Sequence, residues 1–195
     1  MVLQPPFGMQ NMPKVMKAAA ILSLILTIAA SWLFRCLNQE LFLTLAITFG
    51  TTFYHLGIRL LIGFLYNLGM KNHADYTKKW YQPRPWEGKL YKVLRVKAWK
   101  DKMPTYRSSL FSRKDHTWDE IAQAMCQSEL VHETNMLLSF LPVIASKWFG
   151  SFSVFLITSI CGAIFDLLFV IMQRYNRPRV IKIAVGKRSN PIAHL

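Results

Sequence analysis

An all-α integral membrane protein is the fold class that the sequence predicts, with four transmembrane helices and a cytoplasmic interfacial amphipathic segment. Three observations carry that expectation. The runs Ala18 to Phe34, Leu41 to Tyr66 and Trp148 to Met172 are nearly free of charge, and each approaches the roughly 20 residues that a helix needs to cross a bilayer. The 24 Lys and Arg are unevenly placed, with thirteen between Lys71 and Lys114, six from Arg174 onward, and Lys14 and Lys17 ahead of the first run. Polar residues inside the apolar stretches recur at helical spacing.

Composition narrows the function classes. A formal net charge of +14 suits a nucleic-acid binder, but its distribution is the bias of cytoplasmic segments lying beside anionic lipid heads. Membrane lipid is therefore an expected partner and nucleic acid is not. Cys36, Cys126 and Cys161 are far apart and match no metal or redox spacing. The whole chain, 1–195, reads as a single membrane domain with spans near 18–34, 41–67, 128–147 and 149–173, and a cytoplasmic segment at 71–127.

Taken in order, residues 1–13 lack periodicity and read as a loose tail. Lys14, Lys17 and Ala29-Ala30-Ser31 imitate a signal peptide, but Trp32-Leu33-Phe34 carries the apolar run past the cleavage position. The first span is read as retained. Arg35 to Glu40 leaves room only for a tight outer hairpin. The second span then bears Thr48, Thr51, Thr52, His55, Arg59 and Tyr66 on one side at 100° per residue. A charge inside a span faces protein or water because lipid exposure costs at least about 2.5 kcal/mol, and Asp166 in the last span is the partner expected for Arg59.

Trp80, Tyr81, Trp86, Tyr91 and Trp99 are interleaved with basic residues from Tyr76 to Pro104, which is the composition of a headgroup layer. Leu90, Tyr91, Leu94 and Ala98 share a helical face, so an in-plane amphipathic helix is expected from about Pro85. Thr117-Trp118-Asp119-Glu120 is a capping-box pattern that opens the next helix. That helix carries Glu129, His132, Asn135 and Ser139 on one stripe, runs apolar past Pro142, and turns at Gly150 and Ser151 into the last span. There Ser159, Gly162, Asp166 and Gln173 share a face. Pro178 is expected to stop this helix shortly afterwards, leaving a short frayed end.

The chemistry-bearing residues are few. Glu129 and His132 are three apart, hence neighbours on a helix. A carboxylate beside an imidazole suits general-base work on a hydroxyl, and it equally suits a structural pair. His132-Glu133 is followed by Met136 where a zinc-protease helix needs a second His, so no metal site is read. Gln173-Arg174-Tyr175-Asn176-Arg177-Pro178-Arg179 closes the last span. It reads either as a snorkelling stop signal or as a polar site gripping an anionic or sugar-like group.

Four segments, in order, resemble the family of glycosyl-4,4'-diaponeurosporenoate acyltransferases. They are Trp86-Glu87-Gly88, Lys97-Ala98-Trp99-Lys100-Asp101-Lys102-Met103-Pro104, Ser128-Glu129-Leu130-Val131-His132, and the stretch Gln173 to Arg179. The likeness runs from about Tyr81 to Ile181. It implies a small bacterial membrane enzyme that esterifies the sugar hydroxyl of a glycosylated carotenoid acid with a fatty acyl chain, late in staphyloxanthin-type pigment synthesis.

Together these readings predict a multi-pass protein of the cell membrane, both termini cytoplasmic, acting as an O-acyltransferase at the inner face. It needs no cofactor. Its co-substrate is an acyl-CoA or acyl-carrier-protein donor, and its acceptor a glycosylated lipid or carotenoid. His132 is the expected base, oriented by Glu129. Arg174, Arg177 and Arg179 are expected on donor phosphates or the acceptor's carboxyl-derived end, and Gln173 and Asn176 on the sugar. His55, Arg59, Asp166, Trp86 and Trp99 complete the expected substrate-binding set. A non-catalytic membrane scaffold or lipid-binding subunit is the alternative; a small transporter, which needs oligomers, is the third.

Overall fold

The computed structural model describes residues 12–104 and 108–189 and, among them, contains helices and turns but no strand. Among these residues seven α-helices follow one another: α1 Met12–Leu37, α2 Glu40–Met70, α3 Glu87–Val93, α4 Val96–Trp99, α5 Trp118–Leu138, α6 Pro142–Phe149 and α7 Phe152–Ser189. Residues 1–11 of the expected tail lie outside the described residues. Three of the described helices are long and apolar enough to cross a membrane: Met12–Leu37, Glu40–Met70 and Phe152–Gly186.

Their outward faces are apolar. Ile21, Leu22, Ile25, Ile28 and Trp32 on α1, Phe64 and Leu68 on α2, and Ile157 and Ile164 on α7 are all exposed, as lipid-facing stripes are. Small residues are buried here: Ala20, Ser23 and Ala30 on α1 and Ala46 on α2. A Cβ on Gly50 would already stand 3.5 Å from Thr27 Cγ2. Small side chains let helix backbones approach where no hydrophobic drive separates protein from lipid. The hydroxyls of Ser23, Thr27 and Ser31 donate to the carbonyls one turn back at 2.8, 2.7 and 2.7 Å, so these polar atoms are satisfied within their own helix.

The expected turns are present. Asn38 (φ 47°) and Gln39 alone join α1 to α2, and Gly150 (φ 69°) with Ser151 (φ 52°) join α6 to α7. The capping box closes in both directions: Thr117 N–H donates to Glu120 Oε2 at 2.7 Å, and Glu120 N–H donates to Thr117 Oγ1 at 3.2 Å.

Three expectations are corrected. The span expected at 128–147 is not one helix. It breaks after Leu138, and Phe140 and Leu141 make only three-residue turns to Leu137 and Leu138 before α6. Pro142 has no N–H to continue the ladder, and α5 is too polar along its length to qualify as a span by itself. The amphipathic helix expected from Pro85 also breaks. Arg95 adopts a left-handed conformation (φ 48°, ψ 42°) between α3 and α4, so Ala98 does not continue the face of Leu90 and Leu94.

Third, α7 does not stop at Pro178 but continues to Ser189 with the proline inside it. Arg179 lies over the Tyr175 ring at 4.1 Å, bridging the turn that the proline weakens, and Ala184 beyond it is buried. These contacts offset the lost hydrogen bond.

The chain folds into two compact units. One holds Tyr66–His132 and the described part of the chain from Leu168; the other holds Pro13–Leu65 and Glu133–Leu167. In the first, Ala74, Tyr81 and Cys126 form a buried core against Met70, Tyr76 and Leu130. Burial pushes the Cys126 thiol up to about 12, whereas Cys36 is exposed. In detergent-solubilised protein a thiol reagent should therefore modify Cys36 and reach Cys126 only after denaturation, as read by mass spectrometry. Modification of Cys126 in the folded protein is the result that would contradict this core.

Candidate active site

In the unit that holds α3, α4 and most of α5, the central side chain is Glu129. It is wholly buried, and a bare carboxylate there would cost several kcal/mol. Both oxygens are met by guanidinium groups from residues 173–179 of α7. Arg174 Nη1 donates to Oε1 at 2.6 Å, and Arg177 Nη1 donates to Oε2. Arg174 also donates through Nε and Nη2 to Glu87 Oε1 at 2.9 and 2.6 Å, and Glu87 is itself buried. Two arginines and two glutamates thus neutralise one another.

Other guanidinium donors take up backbone carbonyls of a segment with little regular structure, while Arg177 Nε is buried without a hydrogen-bond partner among the described residues. Arg174 donates to Trp80 and Gln82 oxygens, both at 3.2 Å, and Arg177 donates to the Tyr81 carbonyl while lying 5.2 Å from the Tyr81 ring centroid. On the other side of Glu87, the Tyr91 hydroxyl donates to Oε2 at 2.7 Å. Burial first, and then the Glu87 carboxylate, hold the Tyr91 phenol above its ordinary pKa. Tyr91 meets Tyr175 edge-on with centroids 5.3 Å apart.

His132, one turn beyond Glu129, is half-buried. Its ring stacks parallel on Phe169 of α7, centroids 4.5 Å apart and planes 7° apart. Gln173, one turn further along α7, donates from Nε2 to Ser128 Oγ at 3.2 Å. The segments containing His132 and Gln173 to Arg179, distant in sequence, are brought together. Asn176 is half-buried on the same stretch of α7. Trp86 is exposed just ahead of α3, and Trp99 donates its indole N–H to the Leu94 carbonyl at 2.9 Å.

The second unit has a polar cluster of its own. Arg59 Nη2 meets Asp166 Oδ2 at 2.6 Å, with Asp166 fully buried. It also donates to the Gly162 carbonyl at 2.9 Å, and its Nη1 donates to the His55 carbonyl at 2.6 Å. A Cβ on Gly162 would come within 3.1 Å of His55 Nδ1 and 3.2 Å of Arg59 Nη2; only glycine lets this histidine and arginine lie so close to α7. Both ring nitrogens of His55 and the Ser159 hydroxyl are buried without a hydrogen-bond partner among the described residues. The expected stripe on α2 is therefore real at Thr51, His55 and Arg59, whereas Thr48 and Thr52 are exposed and bond back to their own helix.

A family model of glycosyl-4,4'-diaponeurosporenoate acyltransferase matches residues 77–185, over half of the chain. The chain belongs to this family. Comparison with curated proteins and with solved structures gives no match. Membership makes the protein an acyltransferase, with a glycosylated carotenoid-like acceptor. The matched range contains the whole Glu87–Glu129–Arg174–Arg177 cluster and His132.

Sequence reasoning overlooked several members of this side-chain cluster: Glu87, Tyr81, Tyr91, Tyr175 and Ser128. Glu87 left a signal. Only Asp75, Glu87 and Asp101 are acidic in the Lys71 to Lys114 stretch that holds thirteen Lys and Arg, and a lone acid beside aromatic residues in such a stretch is a candidate for a buried pair. The carbonyls of Trp80, Tyr81 and Gln82 left none, because backbone acceptors are the same at every residue.

Removing one partner of the Arg59–Asp166 bridge leaves the other charge buried alone, at about 3–5 kcal/mol. Arg59→Leu and Asp166→Leu should each lower the thermal stability of the detergent-solubilised protein by that order, and the double substitution should do less damage than either alone. Simple additivity in this double-mutant cycle would show that the two charges are not coupled.

Proposed function

We propose that the protein transfers a fatty acyl group from a thioester donor to a sugar hydroxyl of a glycosylated lipid at the cytoplasmic face of the cell membrane. The observation that carries the reading is the closure of two family segments onto one another, Glu129 to Arg174 at 2.6 Å, with His132 one turn from that contact. The chain crosses four times in this reading, the third crossing being made by the broken pair α5–α6. Met70, the start of α5 and the basic end of α7 belong to one unit and therefore lie on one side, where the lysine and arginine bias places the cytoplasm. Both termini are then cytoplasmic, and the turns at Asn38 and Gly150 are outside.

The reaction needs a base near the acceptor hydroxyl. His132 takes that role: its imidazole accepts the hydroxyl proton as the oxygen attacks the thioester carbonyl. A new C–O bond forms, the C–S bond breaks, and the proton passes from His132 to the departing thiolate. The acceptor becomes an ester and the donor a free thiol, with no oxidant or metal in the balance.

Stacking on Phe169 sets the plane of the ring. Glu129 holds Arg174 and Arg177, so these arginines shape the site, and direct contact with substrate falls to Gln173, Asn176 and Arg179. The polar cluster of the other unit, His55, Arg59 and Asp166, lies within the apolar helices, and an ionisable cluster there marks a functional position by default. Trp86 and Trp99 supply aromatic surface at the interface.

General-base catalysis contributes about 10²–10⁴-fold. His132→Ala should cut kcat for ester formation by that order, with the protein still folded and abundant. Glu129→Gln should act differently, lowering thermal stability together with activity, because it weakens both arginine contacts. Full activity of purified, folded His132→Ala would remove the catalytic assignment. His132 would then be a packing residue, stacked on Phe169, and the base would have to be sought elsewhere.

A further inference from the structure

The arginines expected to bind the donor's phosphates, Arg174 and Arg177, are spent on carboxylates. Other cations are not. Against the outer side of α3 and α4 and the Tyr175–Arg179 turn of α7 lies an open groove of about 910 Å³, lined among others by Lys92, Arg95, Lys97 and Arg179. All four are exposed. Among the described residues no carboxylate lines the groove. The two acids on the adjoining elements are engaged elsewhere, Glu87 by Arg174 and Tyr91 and Asp101 by Lys100.

The groove is built rather than incidental. In an unbroken helix, five residues would carry Lys97 about 140° round the axis from Lys92. The left-handed Arg95 resets the direction of the chain between them, and both lysines come to line one groove. A non-glycine residue in that conformation is strained and is held where the surroundings require it. Arg179 is aimed by its stack on Tyr175, Tyr175 by its edge contact with Tyr91, and Tyr91 by its hydrogen bond to the buried Glu87. Ala98 and Pro178 leave part of the lining apolar.

We propose, resting on the acyl-transfer reading above, that this groove binds the phosphates of the acyl donor. The class of donor is a coenzyme A thioester, whose pyrophosphate and 3'-phosphate would be met by Lys92, Arg95, Lys97 and Arg179. The spacing along α7 supports this choice. Phe169, which carries the His132 ring, and Pro178, in the groove, are nine residues apart, roughly 14 Å of helix rise. A donor with its carbonyl bonded directly to phosphate would leave the reacting carbon in the groove. One with a long arm between phosphate and thioester reaches from the groove to His132. Four uncompensated cations also match a compact polyanion better than the single phosphodiester of a carrier-protein arm.

The test uses the full-length protein in neutral detergent. Binding of desulfo-coenzyme A is measured by calorimetry for the wild type, for Lys92→Ala/Lys97→Ala, for Arg179→Gln, and for Lys78→Ala/Lys79→Ala as a charge control outside the groove. The groove variants should weaken binding at least tenfold and raise KM for an acyl-coenzyme A with a smaller change in kcat, while the control remains within twofold of wild type. Inorganic phosphate and phosphatidylglycerol vesicles at matched phosphate should not displace the nucleotide. Unchanged affinity in the groove variants overturns the proposal. So does displacement by the vesicles, which would make the groove a lipid-headgroup site, or turnover with an acyl-carrier protein alone. A silent His132→Ala with the groove result intact would refute the catalytic reading and leave the nucleotide site standing; the reverse pattern would refute only the groove.

Discussion

A carboxylate held at zero exposure needs compensation, and at Glu129 two guanidinium groups supply it. Breaking such an arrangement from one side is far more damaging than never having made it, so the neighbourhood is committed to it. Residues 174–177 of α7, the middle of α5, the start of α3 and the segment Trp80 to Gln82 are all fixed by the same two arginines. That segment has only a three-residue turn of regular structure. Its carbonyls, which would otherwise require water or a ladder, are satisfied by arginine donors instead.

The neutrality of this cluster has a consequence for recognition. Two glutamates use up the charge of Arg174 and Arg177, while the groove cations further out on α3, α4 and α7 face no acid among the described residues. Charged groups paired inside a protein organise geometry; unpaired ones at its surface attract ligands. The arginine-rich stretch of α7 therefore divides its labour, with two guanidinium groups structural and the exposed Arg179 stacked on Tyr175. The chain Glu87–Tyr91–Tyr175–Arg179 links the two roles through contacts between adjacent side chains.

Within the apolar helices the same principle operates at lower density. Arg59 finds Asp166, and the absence of a side chain at Gly162 allows His55 and Arg59 to lie against α7. The ion pair was legible in advance, because a lone charge in an apolar run requires a partner and the chain offers few. The capping box at Thr117 was equally legible, since its chemistry is confined to four consecutive residues. The break between α5 and α6 was harder to see. Hydropathy continues smoothly across Pro142, and a window of apolar residues carries no record of where the hydrogen-bond ladder is cut. The persistence of α7 beyond Pro178 was hidden for the opposite reason: a local rule predicts a stop, and the contacts of Arg179 and Ala184 override it.

What the sequence by itself determined is whatever depends on neighbours along the chain: helical class, the length of each apolar run, the caps and turns, and the requirement that buried charges pair. Tertiary structure decided which partner each charge takes. Glu129 and His132 are within reach on one helix, and nothing local ranks that contact against others. The arginines that meet Glu129 lie 45 and 48 residues away. A charge-assisted contact from a guanidinium is among the strong ones, and only the folded chain brings these arginines within range of Glu129.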